Sequence, residues 1–376
     1  MDSLADTMRD SAHSKQPTFI DLFAGLGGIR LGFENAGCKC VFSSEWDKDA
    51  QKSYKANFGE IPHGDITHIS ADEIPHFDIL CAGFPCQPFS IIGDKEGFKH
   101  TTQGTLFFEI ERFLRERKPR AFMLENVRNL ISHDKGRTFA IILEHLANLG
   151  YFVHFKVLNA LDFGLPQKRE RVIICGFREK LDFAFPSGIN ALGGECGDYY
   201  KPKSLAQILE SSVDKKYFVR EAIKISRTKR MKKQLAKPYI THENVGGSIT
   251  AHHFSCALRA GASANYLLVN NERRLSEREM LRLQGFPESY KIVVPYSAFK
   301  KQIGNSVALP VIEAVARQML KAMQDFSQKQ NLAQKAMKNA PQYNAQNALL
   351  AMELPDLLRS RNYQTLYNMQ NEIFTF

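Results

Sequence analysis

Cys86 stands in the stretch GFPCQPFS, between Pro85 and Pro88 and just beyond the apolar run 77–82. Most free cysteines are small buried hydrophobes. This one has left its strand and entered a stiff loop with Gly83 and Gly93 around it. Glu125, in MLENV, ends another apolar strand at the carboxyl edge, where open α/β sheets bind ligands. The two side chains then face one crevice. A thiolate beside a carboxyl group that can be protonated suits one chemistry, addition to a pyrimidine. C5 of that ring is a poor nucleophile, but a thiolate added at C6 makes C5 enamine-like. Glu125 would steady the ring through N3 and the exocyclic amine. An ordinary thiol has a pKa of ~8.5, so Cys86 needs a helix end or nearby cations to ionise. Standing alone, Glu125 would be better read as a cap or salt-bridge carboxylate. Cys81, inside the apolar strand, reads as packing.

Two further groups supply charge and a cofactor cradle. In FGLPQKRERVIICGF, Lys168, Arg169 and Arg171 precede a Val- and Ile-rich strand, and alternation turns both arginines to one side. Two guanidinium groups on one face suit a phosphate or a base carbonyl; the plain alternative is a solvent-facing edge. The turn DLFAGLGGIR follows the first strand and opens a helix, so Gly25, Gly27 and Gly28 let a ligand approach the backbone. A dinucleotide fingerprint beginning at Gly25 would need glycine where Arg30 stands. The acid expected ~20 residues on for ribose hydroxyls is present as Glu45. The sole tryptophan, Trp46, follows it, and Asp65 in HGDIT suits an adenine amine. Together these describe an adenosine site without a pyrophosphate cradle, as S-adenosylmethionine requires. A Gly-rich turn by itself would be only a tight βα turn.

The elements that position these residues alternate. TFIDLF, KCVFSSE, FDILCAG and RAFMLENV read as strands separated by amphipathic helices, which predicts a parallel sheet covered by helices. We read residues 1–17 as a tail and 18–179 as the catalytic and cofactor domain. Residues 180–272 form a smaller irregular domain, and 273–323 return to the first domain, with the helix in ALPVIEAVARQMLKAMQ packing back on it. Residues 324–376 hold fifteen Asn or Gln and no Gly, and no function is assigned to them.

With 376 residues, 44% hydrophobic and 24% charged, the chain can bury a large core. No run approaches the ~20 apolar residues of a membrane span, and the N-terminus lacks the apolar core of a secretory signal. Seven scattered cysteines argue against a disulfide framework and for a reducing cytosol. The net charge is +10, and residues 201–240 carry twelve Lys or Arg against three acids. Such a patch suits a phosphate backbone, although a lone charge run is better read as a solvated face. His242, His252, His253 and Cys256 match no standard zinc spacing, and no metal is expected.

The motifs DLFAGLGG, EWD, GDI, GFPCQPFS, ENV, PQKRER, RRLSEREMLRLQGFP and QIGNSV resemble, in order, those of bacterial DNA (cytosine-5) methyltransferases, the methylases of type II restriction-modification systems. The resemblance covers residues 18–323 and implies a Rossmann-like α/β sheet with helices on both faces and a target-recognition domain at 180–272. It implies Cys86 as nucleophile, Glu125 at the cytosine N3 edge, Arg171 at O2 and Arg169 as the neighbouring arginine of the same motif. S-adenosylmethionine would be held by Phe23, Gly25, Gly27, Gly28, Glu45, Trp46, Asp65, Pro85 and Leu106, with Asn305, Ser306 and Val307 closing the pocket. Arg273 and Arg274 match a motif supporting the recognition region; their plain reading is a helix-cap salt bridge. Where the family commonly has Arg-Gly, this chain has Gln103-Gly104, so closure of the 83–100 loop is expected to differ.

The expected reaction is methylation of C5 of a cytosine, flipped out of duplex DNA, within a short specific sequence. The expected DNA contacts are Gln87, Ser90, Ile92, Arg227, Lys229, Arg230, Lys232, Lys233 and Thr250. The partners are double-stranded DNA and a functionally paired restriction endonuclease without stable binding. The chain is expected to be a cytoplasmic, nucleoid-associated monomer with no membrane association. The rivals are a tRNA cytosine-5 methyltransferase of the same fold and a catalytically silent DNA-binding protein.

Overall fold

The computed structural model describes residues 16–85, 105–188, 202–233 and 235–339. Its first half runs β1 (Thr18–Leu22), α1 (Gly28–Asn35), β2 (Lys39–Ser44), α2 (Lys48–Phe58), β3 (Ile79–Gly83), α3 (Thr105–Arg117), β4 (Ala121–Val127), α4 (Arg137–Asn148), β5 (Phe152–Asn159), β6 (Gln167–Lys168) and β7 (Glu170–Phe177). Six of the strands form one sheet in the order β2-β1-β3-β4-β7-β5. Local signals set the edges of the elements. Asp47, for example, caps α2 by accepting from the amides of Asp49 and Ala50 at 3.0 and 3.1 Å, and Gly59 ends it in the left-handed region.

Alternation along the strands builds two cores. Phe19, Ile79, Cys81, Met123, Ile173 and Cys175 share one with Phe33 of α1. Ile20, Leu80, Leu124, Val172 and Ile174 share the other with Phe113 of α3 and Ile142 of α4. The sheet is therefore covered by helices on both faces. It is not wholly parallel, however. Strand β7 runs antiparallel to β4 and to β5, while β2, β1, β3 and β4 are parallel. The link from Asn159 to Glu170 explains this correction: a parallel return needs a crossover of about a dozen residues or more, and this link spends its length on a 3-10 turn and the short β6.

The second half contributes α5 (Leu205–Ile208), α6 (Glu221–Arg230), β8 (Ile240–Glu243), β9 (Ile249–His252), β10 (Ser255–Cys256), β11 (Leu267–Val269), α7 (Glu277–Gln284), α8 (Tyr296–Asn305) and α9 (Leu309–Asn339). Strands β11, β8 and β9 form a small antiparallel sheet, and β10 pairs with β6. Leu205, Ile240, Leu267 and Val269 share a core with Leu275, Met280, Leu281, Phe299 and Ile303. Residues 275–303 pack on this core and also on the first half of the chain, where Tyr290 donates to the Leu26 carbonyl and Ser53 to Gln302 Oε1, both at 2.8 Å. The chain rejoins the first core at Val307, followed by Val311, Val315 and Met319.

Residues 1–323 make one compact unit and 324–376 a second, described only through the helical residues to Asn339. Among the described residues no helix is long and apolar enough to cross a membrane.

Candidate active site

The carboxyl ends of β1 and β2 build a cradle. Phe23, Gly25 and Gly27 all have positive φ, at 58°, 53° and 71°. Glu45 holds the turn from the next strand: Oε2 accepts from the Gly25 amide and Oε1 from the Asp47 amide, both at 2.8 Å. Burial raises the Glu45 pKa, and those two amides oppose the shift. Two glycines are required by contact. A Cβ on Gly27 would lie 2.3 Å from the Phe58 ring, and one on Gly28 would lie 2.8 Å from Val307. The first and last motifs of the chain therefore meet directly.

These residues fit an adenosine-bearing ligand. Trp46 is 70% exposed at the mouth of the cradle, a bare aromatic face of the kind a base stacks on. The Ser306 hydroxyl is buried without a partner among the described residues. Asp21, at the end of β1, is fully buried, and burial pushes its pKa well above the ordinary value while the charge and backbone amide of Arg30 oppose the shift. Asp65 is exposed and spends Oδ1 on the amide and hydroxyl of Thr67. Pro85 and Asn305 are exposed, Val307 is buried, and half-buried Leu106 packs on the core beneath α3.

At the end of β4, Glu125 is 7% exposed, and its Oε1 lies 2.9 Å from Nε of Arg171. Burial raises the Glu125 pKa, against the pull of Arg171 and Arg169. Gly83, three residues ahead of Cys86 in sequence, is the register partner of Glu125. Asn126 donates Nδ2–H to the Phe84 carbonyl at 3.0 Å and so fixes the exit of β3. Cys86, Gln87, Ser90, Ile92, Gln103 and Gly104 lie outside the described residues, as do residues 86–100 of the loop expected to close.

Arg169 departs from both readings of it. It is 2% exposed, so it is no solvent edge. Its guanidinium is committed to three carbonyls: Leu258 at 2.9 Å, Gly304 at 3.3 Å, and Ser306. It is therefore not free to grip a phosphate. Burial, and then the charge of Arg171, push its pKa down to about 9. Gly304 must be glycine, since a Cβ would lie 2.2 Å from the Ala260 amide nitrogen. Gln167 was not foreseen. Fully buried, it donates to the Leu283 carbonyl at 2.8 Å and accepts from the Leu258 amide at 3.2 Å. Its place in PQKRER was the available signal.

Arg227 requires a correction. It is 1% exposed and bonded to Asn271, Thr241, Glu243 and the Asn265 carbonyl, so it does not reach DNA. A charge run does not reveal which cation meets buried acceptors. Arg230 pairs with Glu243 and donates to the Gly247 carbonyl at 2.8 Å. Lys229, Lys232, Lys233 and Thr250 are exposed. His252 stacks on Phe254, and His253 bonds the Pro238 carbonyl. Arg273 and Glu279 form a bidentate pair at 2.8 Å beneath the Ser276 cap of α7, and Arg274 donates to Asn265.

Comparison with known proteins agrees with this geometry. Residues 17–321 match the family C-5 cytosine-specific DNA methylase. Type II methyltransferase M.NgoBI of Neisseria gonorrhoeae is 56% identical over 300 residues, covering 79% of this chain and 91% of the relative. Type II methyltransferase M.HaeII of Haemophilus aegyptius is 54% identical over 311 residues, covering 82% and 94%. The S. pombe Dnmt2 methyltransferase crystal structure shares the fold, with a TM-score of 0.63 at 19% identity, covering 82% of this chain and 99% of that one. The cradle, the buried carboxyl at the strand end and these matches have one conclusion: the chain belongs to the C-5 cytosine-specific DNA methylase family.

Proposed function

We propose that Cys86, Glu125 and Arg171 are the groups with which this chain carries out its reaction. The reaction itself is methylation of cytosine C5 in a specific sequence of double-stranded DNA, with S-adenosylmethionine as donor. The observation that carries the residue assignment is Glu125 at the end of β4, paired with Arg171 and in register with Gly83. C5 and C6 are inaccessible within the stack, so the target base is flipped out at a cost of a few kcal/mol. Cys86 as thiolate adds to C6. Glu125 in its protonated form, which burial favours and Arg171 opposes, donates to the N3 edge and accepts from the exocyclic amine. Electron density drawn to N3 in this way reappears at C5. Arg171 steadies Glu125 and meets O2. S-adenosylmethionine, when bound, supplies the electrophilic methyl group. Loss of the C5 proton then lets Cys86 depart and restores the aromatic ring.

In this reading Trp46, Glu45, Asp65, Leu106 and the turn 23–28 hold the adenosine moiety, and residues 305–307 close over it. Residues 180–272 carry recognition, with Lys229, Lys232, Lys233 and Thr250 as phosphate contacts. In the same reading a paired restriction endonuclease acts on the same sequence without stable binding, and the chain works as a cytoplasmic monomer. Bisulfite sequencing of DNA from cells expressing wild type and Cys86→Ala is the test. A cytosine methylated in one short sequence and lost in the variant is expected. Absence of methylation in both would overturn the reading and direct attention to tRNA.

A further inference from the structure

Val245 is 97% exposed, the most exposed large apolar side chain among the described residues. Single exposed valines are ordinary; the mounting of this one is not. It sits at the tip of the hairpin joining β8 to β9, in a turn closed by three bonds. The Asn244 amide donates to the Ser248 carbonyl at 3.0 Å, and the Gly247 amide to the Asn244 carbonyl at 3.1 Å. The Ser248 amide donates to Asn244 Oδ1 at 2.9 Å. Arg230 holds the Gly247 carbonyl from beneath and also pairs with Glu243. Glu243 in turn pairs with the fully buried Arg227. The turn is thus anchored in the small lobe by a charged network that leaves one apolar side chain projecting.

The surroundings identify what it meets. Met231 bridges to Ile249, so exposed Lys232 and Lys233 run beside the hairpin, and Lys229 is exposed on the same helix end. At the hairpin's base, His252 feels the charge of Lys168, and Lys168 is in register with Cys256. At ~3.4 Å per residue, three strand steps and the turn place the tip roughly 10–15 Å from that base. A lone apolar tip flanked by cations suits a nucleic-acid groove between phosphate rails. A protein partner would want a broader apolar patch.

We propose that Val245 is a specificity-determining contact, inserted into a groove of the target duplex, and that Arg227, Glu243 and Arg230 are positioning residues that hold it there. The proposal rests on the DNA-methylating reading above. An isopropyl group neither donates nor accepts, so Val245 discriminates by shape and by stranding any polar base edge pressed against it.

The test compares wild type, V245A and, as a control for truncating an exposed valine elsewhere, V293A. Methylated sequences would be mapped by bisulfite sequencing, and kcat/KM measured on duplexes carrying the mapped site and its single-base variants. For V245A the preference for the mapped site over one variant base pair is expected to fall by about tenfold. S-adenosylmethionine affinity without DNA and the Tm are expected to stay at wild-type values, and V293A to match wild type throughout. A V245A enzyme with unchanged sites and unchanged kcat/KM ratios would overturn the proposal. The wild-type lane tests the underlying reading separately, since a wild type that methylated no cytosine would overturn both.

Discussion

Arg171 and Glu125 approach to 2.9 Å from adjacent antiparallel strands, with Arg171 in register with Val127, two residues beyond Glu125. The pair exists because β7 runs against β4; a parallel neighbour would have brought a different end of the strand to this point. Buried beside one cation, Glu125 has its pKa raised by desolvation and held back by Arg171 and Arg169. Glu125→Ala is expected to lower kcat/KM by about 10²–10⁴ with little change in cofactor affinity, checked by steady-state kinetics and equilibrium binding.

Trp46 separates binding from stability. At 70% exposure its loss should move stability by less than about 0.5 kcal/mol. S-adenosylmethionine should bind roughly tenfold more weakly, since an aromatic contact is worth about 1 kcal/mol or more. Trp46 is the only tryptophan, so quenching of its emission reports wild-type binding directly.

Gly27→Ala meets two obstacles, a φ of 71° and the Phe58 ring 2.3 Å from the new Cβ. A loss of about 1–3 kcal/mol is expected from the backbone alone. In the double variant with Phe58→Ala the steric part should vanish and the backbone part remain, a non-additive cycle readable by urea unfolding.

Asp21 is fully buried, with its pKa raised well above 3.8. A raised acid binds more protons in the folded state, so the native protein loses stability as pH rises from the ordinary value through the folded one. Asp21→Asn removes this titration. Its stability relative to wild type should grow with pH above about 4, with a slope approaching about 1.4 kcal/mol per pH unit until the folded-state value is passed. Urea unfolding at pH 4 and pH 8 checks the sign.

Arg227 and the exposed lysines should part company. Arg227→Ala leaves Glu243 and Asn271 facing an unfilled space and is expected to cost about 3–5 kcal/mol. Lys232→Ala with Lys233→Ala should leave stability unchanged and weaken DNA binding. The slope of log affinity against log salt should fall by about 0.9 for each phosphate that no longer meets a lysine.

Much of the site was legible because its chemistry is local. Glu45, Trp46 and Glu125 end strands whose apolar runs are plain in the sequence, and the turn 23–28 announces itself by its glycines. Long-range choices were not legible. Nothing in PQKRER says that Arg169 turns inward to the Leu258, Gly304 and Ser306 carbonyls while Arg171 meets Glu125, because those acceptors lie about 90 and 135 residues away in the chain. The burial of Arg227 is hidden for the same reason: Asn271, Thr241 and Glu243 become acceptors only after β8 has folded against α6. The direction of β7 followed from a connection length that the alternating pattern did not reveal.

The shared core of the small lobe bears on how such enzymes exchange specificity. A cassette cut at 180 and 272 would carry Ile240, Leu267 and Val269 into a host and leave behind Leu275, Met280, Leu281, Phe299 and Ile303. The transplant would meet the host's own residues at those positions, and the Arg169 bond to the Leu258 carbonyl would straddle the seam. A longer segment ending near Gly304 would keep these apolar residues together, with its bonds to Leu26 and Ser53 forming the joint to the host.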